Sequence, residues 1–392
     1  MSARATGTAS GAGGHGRRRW RARREWLVEA LLPLINLAVA LALSALVVLL
    51  VGESPARALS LLAAGALGSG EAIGYTLYYA TSFVFTGLAV AVAFHGGLFN
   101  IGAEGQAYVG GLGVGLLCLA AGSWPSGFVV AGAVMAAAAF GAAWAFVPAW
   151  LQARRGSHIV ITTIMFNFLA SSLMTYLLVN VLIKPGQQSP ETREFAPSTW
   201  LPQLHGVLGA LGWGLGQSPL NLATVLALAA CVFVWFYLWH TRWGYALRAL
   251  GKSETAAVYG GIRPARTVIA AMCISGALAG LMSLNEVMGV QHRLMLNFVG
   301  GAGYVGIAVS LMGRNHPAGI VLAAILFGAL YQGGSELSFD VPTLTRDIVV
   351  VIQGLIILVC GALEHALRRP LLWLVRPHAR AGPSAPLAHH GS

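Results

Sequence analysis

Charge is what this sequence has least of. Only 9% of its 392 residues are Asp, Glu, Lys or Arg, against about 25% in an ordinary soluble domain. That scarcity excludes a water-soluble protein of this length, which would have too little polar surface to cover its core. Cysteine is sparse too, with four residues. Cys118, Cys231, Cys273 and Cys360 each stand alone inside an apolar run. No CxxC or Cys/His spacing joins them, so neither a zinc site nor a disulfide framework is supported, and they read as small packing residues. Motifs for catalysis are absent too: HExxH, GxSxG and the kinase set do not occur. Gly251-Lys252-Ser253 resembles the end of a phosphate-binding loop. That loop needs a glycine five positions earlier, where Ala246 stands, and no soluble strand precedes it. The His389/His390 pair is too short a motif for a metal site. No catalytic residue, metal ligand or cofactor is assigned, and any ATPase must be another chain.

What is present is apolar length. Hydrophobic residues make up 57% of the chain and the mean hydropathy is +0.72. Runs of about 20 apolar residues, the length that crosses a bilayer core, fall near 31–51, 73–94, 106–122, 126–150, 159–183, 221–240, 267–288, 299–313, 317–334 and 345–366. The expected fold is an all-α polytopic membrane protein with about 10 transmembrane helices, some interrupted. The first run follows a basic tail and lacks a clear small-residue cleavage site, so it reads as a retained span. Residues 1–29 read as a disordered basic tail, 30–366 as the transmembrane domain and 367–392 as a second tail.

The net charge of +11 raises nucleic acid as a partner, and topology answers it. With both termini cytoplasmic, 19 of the Lys and Arg residues fall on cytoplasmic segments and five (Arg57, Lys184, Arg193, Arg293 and Arg346) on outer ones. That bias is the positive-inside rule, so no nucleic-acid partner is expected. Residues 184–220, rich in Pro, Gly and Gln, read as a periplasmic loop, and 55–72 as an interfacial helix. Gly111-x-x-x-Gly115 and Gly276-x-x-x-Gly280 have the spacing that lets helices approach closely.

Two stretches carry most of the polarity. "HGGLFNIGAEGQ" (95–106) places a His, an Asn, a Glu and a Gln among glycines between two apolar runs. Ionisable groups at membrane depth are costly and normally face a cavity or the protein interior. The stretch reads either as a broken helix tied to function or as a cytoplasmic turn with Asn100 capping the next helix. Val299-Gly-Gly-Ala-Gly-Tyr-Val-Gly306 is a loose echo of it later in the chain, and paired interruptions of this kind point to a transport site. The 241–266 loop is the second stretch. Its short helix is too polar for the membrane, and it reads as a basic interfacial connector or as a docking helix for a cytoplasmic partner.

"GGLFNIGAEGQ" (96–106), "HIVITTIMFNFLA" (158–170), "RWGYALRALGKSETAAVYGGI" (242–262) and "GYVGIAVSLMGRNHPAGI" (303–320) together resemble permease subunits of ABC importers. The resemblance is to the simple-sugar and nucleoside branch of the branched-chain amino acid permease superfamily. It covers most of 30–366 and leans to nucleosides, because ribose-type permeases carry Asp-Leu-Ser-Val-Gly where this chain has "FNIGAEG". It implies a subunit of the inner (cytoplasmic) membrane that does no chemistry itself. The implied partners are a cytoplasmic ABC ATPase, a second permease subunit, an extracytoplasmic solute-binding lipoprotein and a small polar substrate. ATP would be used by the partner subunits.

The 242–262 loop resembles the family's coupling loop, with Thr255 where the signature has Ala. Its expected contact residues are Gly244, Arg248, Gly251, Lys252, Glu254, Ala256, Ala257 and Gly260. The expected substrate pathway comprises Phe99, Asn100, Glu104, Gln106, Asn167 and Glu286, since amides and carboxylates suit base edges and ribose hydroxyls. Asn285 and Glu286 could line the pathway or cap a helix, and His292 and Arg293 read as outer-face residues. A proton-coupled secondary transporter, with Glu104 or Glu286 carrying the proton, is the alternative.

Overall fold

The computed structural model describes residues 38–204 and 216–341, with isolated positions at 35, within 205–215 and between 343 and 359. The two tails and most of the expected span 345–366 therefore lie outside the described residues. Within them the chain is helical, with isolated β-bridges only at Glu191–Met295 and Gln203–Asn221. Helices are the natural outcome for such apolar runs, because each satisfies its own backbone hydrogen bonds without water.

In chain order these are α1 (Ala38–Leu50), α2 (Pro55–Leu67), α3 (Gly70–His95), α4 (Ala103–Ala120), α5 (Ser126–Arg155), α6 (Ile159–Asn180) and α7 (Ala223–His240). Then follow α8 (Arg242–Lys252), α9 (Glu254–Tyr259), α10 (Pro264–Ser283), α11 (Ala302–Met312) and α12 (Pro317–Asp340). A π-helical turn, Leu284–Gln291, extends α10. Six helices among the described residues are long and apolar enough to cross a membrane: α3, α5, α6, α7, α10 with its extension, and α12. The α1–α2 pair is bent by 118° and makes a seventh if counted as one span. Two other expected segments gave different elements. α4 opens on the polar turn that holds Glu104 and Gln106, and α11 has only 11 residues.

α3 is the hub. Of its most apolar 18-residue window 83% is buried, against 28% for α5 and α6, so α3 is enclosed by protein while α5 and α6 turn most of their apolar surface outward. Around α3 pack α7, α10, α11 and α12. α10 crosses α5 with its Gly276 and Gly280 against Gly141 and Ala137, so close that a methyl on either glycine would overlap the facing carbonyl. The spacing of these two glycines thus works as a helix–helix contact. The Gly111/Gly115 pair instead receives the side chains of Phe298 and Leu294.

Residues 184–204 form a strap over the end of α10 distal to the 241–266 loop. Arg293 pairs with Glu191 at 3.0 Å, His292 stacks on Trp200 at 3.9 Å, and Leu201 N–H bonds the Met288 carbonyl at 3.1 Å. One short 3-10 turn, Pro197–Thr199, interrupts it.

Candidate functional site

The break after α3 is where the polar residues converge. α3 ends at His95, Gly97 takes a left-handed φ of 72°, and α4 begins six residues later at Ala103. Asn100 is fully buried. Its amide donates to Gln106 Oε1 (2.9 Å) and Ser275 Oγ (2.8 Å), and its oxygen accepts from Gly102 N–H (2.9 Å) and Gln106 Nε2 (3.2 Å). Ser275 Oγ in turn donates to the Ala89 carbonyl at 2.6 Å, so Asn100 binds the break to both α10 and α3. It organises the turn ahead of α4; the helix itself is capped by Gly102 with no side-chain bond. Asn167, on α6, accepts from Gly105 N–H (2.9 Å) and donates to the Ile101 carbonyl (2.9 Å) and Tyr304 Oη (3.2 Å).

Glu104 ties the break to α11. Its two carboxyl oxygens accept from Gly301 N–H (2.9 Å) and Gly303 N–H (2.8 Å), at the amino end of α11. A carboxylate there answers both the unpaired backbone donors and the positive end of the helix dipole. Gly303 lies so close that a Cβ would overlap the Glu104 backbone nitrogen. The two glycine-rich stretches that echo each other in sequence therefore meet face to face.

Asn100, Glu104, Gln106 and Asn167 thus form one buried knot whose polar groups answer each other and the backbone. Phe99 stands beside it, half-buried, with its ring edge-on to Phe94 at 6.4 Å.

Glu286 is elsewhere. It lines a cavity of about 440 Å³ formed by α3, the α10 extension, the 298–302 loop and α12. Its Oε2 accepts from Tyr78 Oη at 2.6 Å, and Ser82 Oγ stands 3.4 Å from Oε1. The π turn matters here, since such turns shift side-chain register and recur at functional sites. It leaves Glu286 on the cavity wall while Asn285 points inward. Asn285 donates to Ser82 Oγ (2.8 Å) and the Tyr78 carbonyl (3.1 Å), and accepts from Asn221 (3.0 Å).

Aromatic rings supply much of the wall. Phe83 meets Tyr331 edge-on at 4.9 Å, Tyr79 lies 5.9 Å from the same ring, and Phe298 completes the set. Sequence reasoning missed Tyr79, Phe83, Phe298, Tyr331 and the serines 82, 335 and 338. The rings and Ser82 sit in or beside apolar runs at unremarkable positions, and Ser335 and Ser338 lie just beyond the expected span 317–334. The one available signal was the density of ring and hydroxyl residues in Tyr75–Phe83.

Cavity and knot share a wall. The loop that Glu104 holds at Gly301 and Gly303 contributes Val299, Gly300 and Ala302 to the lining.

The 241–266 loop folds as two helices. Thr241 caps α8, accepting from Gly244 N–H at 3.0 Å, and Ser253 caps α9, accepting from Ala256 N–H at 3.3 Å. Gly251-Lys252-Ser253 is therefore the joint between two helices. Of the expected contact residues, Gly244 and Ala257 are buried, Arg248 is half-buried, and Gly251, Lys252, Glu254, Ala256 and Gly260 are exposed. Tyr259, which was not among them, is 89% exposed at the end of α9. The opposite face of α8 seats on the break itself. Leu247 lies over Gly96, and Gly251 touches the backbone from His95 to Gly97.

The family model for the permease component of branched-chain amino acid transport systems matches residues 72–360. The chain belongs to this family. Among similar proteins is the guanosine ABC transporter permease of Bacillus subtilis, 36% identical over 331 residues, covering 83% of this chain and 92% of the relative. The nucleoside ABC transporter permease of Lactococcus lactis is 32% identical over 84% of this chain and 90% of its own. The glucose ABC transporter permease of Haloferax volcanii is 31% identical, covering 83% and 85%. No solved structure matches significantly. The permease is thus a transport subunit of an ABC importer, and its relatives are transport components.

Proposed function

We propose that this permease carries a nucleoside inward across the inner membrane, through the cavity that Glu286 lines, driven by ATP hydrolysed on separate subunits. The observation that carries the reading is the cavity's chemistry: several aromatic rings, which suit a flat base, beside one carboxyl and several hydroxyls, which suit base N–H groups and ribose. Relatives named for guanosine and for nucleosides support the same class. A simple sugar is the second reading, favoured by the relative named for glucose. Asn100, Glu104, Gln106 and Asn167 hold the cavity wall, and Phe99 flanks the route on the side of α8.

The working assembly has four kinds of part. A cytoplasmic ATPase docks on α8 and α9, where Lys252, Glu254, Ala256, Gly260 and Tyr259 are exposed, and moves a helix seated on the Gly96–Gly97 break. A second permease covers part of the outward-facing apolar surface. A solute-binding lipoprotein delivers substrate outside, at the strap formed by 184–204 with His292 and Arg293. About 10 segments cross the bilayer, α4 and α11 as paired half-spans, and both termini are cytoplasmic.

Uptake by the reconstituted importer tests the reading. Guanosine should accumulate with ATP inside the ATPase compartment, glucose should compete poorly, and a proton uncoupler should have no effect. Uptake that needs a proton gradient and no ATP would restore the proton-coupled transporter.

A further inference from the structure

The cavity has a sign, and two carboxyl groups set it. Among the described residues that line it there is no Lys, Arg or His, and Glu286 is the one carboxylic acid. A positive feature could still come from the backbone, because α11 begins at the wall and a helix amino end is a ready anion site. That end is already occupied. Glu104 takes the N–H groups of Gly301 and Gly303 from behind the wall. An anion entering the cavity would find the helix end neutralised and the Glu286 carboxyl facing it.

Glu286 also has acceptor capacity left. A carboxylate offers about four lone-pair positions, and Tyr78 and Ser82 approach two. The remainder suits a solute rich in N–H or O–H donors.

We infer that Glu286 is the charge-selecting residue of this permease: it admits neutral or cationic, donor-rich solutes and turns back phosphorylated ones, with Glu104 removing the helix end that would otherwise hold a phosphate. The inference rests on the reading of this cavity as the solute passage. It gives the transporter a reason to take a nucleoside and refuse the matching nucleotide at the membrane step itself.

Ser335 lines the cavity and is exposed, so a thiol there reports the local potential. Ser335→Cys would be introduced into the full importer in vesicles, and its modification by a cationic and an anionic methanethiosulfonate compared at about pH 8.5, where an ordinary carboxyl is ionised. The parent importer supplies the background from native cysteines. With Glu286 present the cationic reagent should react faster. Adding Glu286→Gln should lower the ratio of the two rates by about tenfold, while Glu286→Asp, which keeps the charge, should preserve it. A ratio that Glu286→Gln leaves unchanged, in importer whose Glu286→Asp counterpart assembles, overturns the assignment.

A second arm uses protection. Guanosine should slow modification of the Ser335→Cys importer and guanosine 5′-monophosphate should not, until Glu286→Gln lets the monophosphate protect as well. Equal protection by both solutes with Glu286 in place also overturns the assignment. If the rate ratio follows Glu286 but neither guanosine nor glucose protects, the charge assignment stands and the passage reading fails.

Discussion

Glu104 holds the loop of a cavity that it does not itself line. Its carboxyl closes the amino end of α11, and its backbone lies against Gly303 with no room for a methyl between them. Gly303→Ala should therefore lower the detergent-solubilised protein's stability by about 1–3 kcal/mol, the usual range for overpacking. Gly127→Ala, where a Cβ would meet nothing within 4 Å, is the matched control, and equal melting temperatures would refute the close approach. Asn100→Ala strips partners from Gln106, Ser275 and the Gly102 N–H at once. A buried polar group left unpaired costs about 1–3 kcal/mol. Its main effect should be a loss of thermal stability, with ATPase co-purification retained in the protein that survives. His292 offers a pH test. Burial lowers its pKa from the ordinary 6.5, against the pull of Glu194 and with the help of Arg293. The fold thus favours the neutral ring, so the unfolded chain binds the extra proton and stability rises with pH. The contribution is complete above about pH 6.5 and fades as pH falls. His292→Asn, which tolerates the left-handed φ of 51° at this position, should flatten the melting temperature between about pH 5 and pH 7. Parallel curves for the two proteins would refute it.

At the scale of elements, two features do the positioning. The π turn at Leu284–Gln291 divides the labour of Asn285 and Glu286, sending one into the α3–α7 contact and the other to the cavity. α8 is the other. It has a strongly amphipathic sequence, and its buried side, Gly244, Leu247 and Leu250, faces the ends of α3 and α7. Gly251→Ala should lift α8 from the His95–Gly97 backbone. The expected outcome is an importer that still binds its ATPase and hydrolyses ATP but moves solute at least tenfold more slowly. Hydrolysis and uptake falling together would mean that the glycine matters only for assembly. Glu254→Arg, on the exposed helix α9, should instead abolish uptake by weakening ATPase capture, with membrane insertion of the permease unchanged. Full uptake by that variant would remove α9 from the coupling surface.

For the whole molecule, the outward-facing surfaces of α5 and α6 contrast with the enclosed α3. A chain this apolar needs solvent of its own kind on that side, lipid or another hydrophobic subunit. The family and the all-helical membrane character were legible from composition and from the "FNIGAEGQ" and "ETAAVYG" stretches. The number of full-length spans was not. Hydropathy counts apolar residues and is blind to where a helix starts and stops, so it could not tell the short α11 from a full span.

By itself the sequence determined the solvent and the family. Scarce charge and long apolar runs are additive properties that need no fold to be read. It also marked "HGGLFNIGAEGQ" as a break worth explaining. Only the tertiary structure decided what the residues of the break touch. Contacts between residues as far apart as Glu104 and Gly303, or Tyr78 and Glu286, leave no periodic trace in a single chain. Those contacts bury Asn100 and Glu104 in a hydrogen-bonded knot and gather aromatic rings beside Glu286. Which polar groups face one another, and which face the cavity, is fixed by how the helices cross.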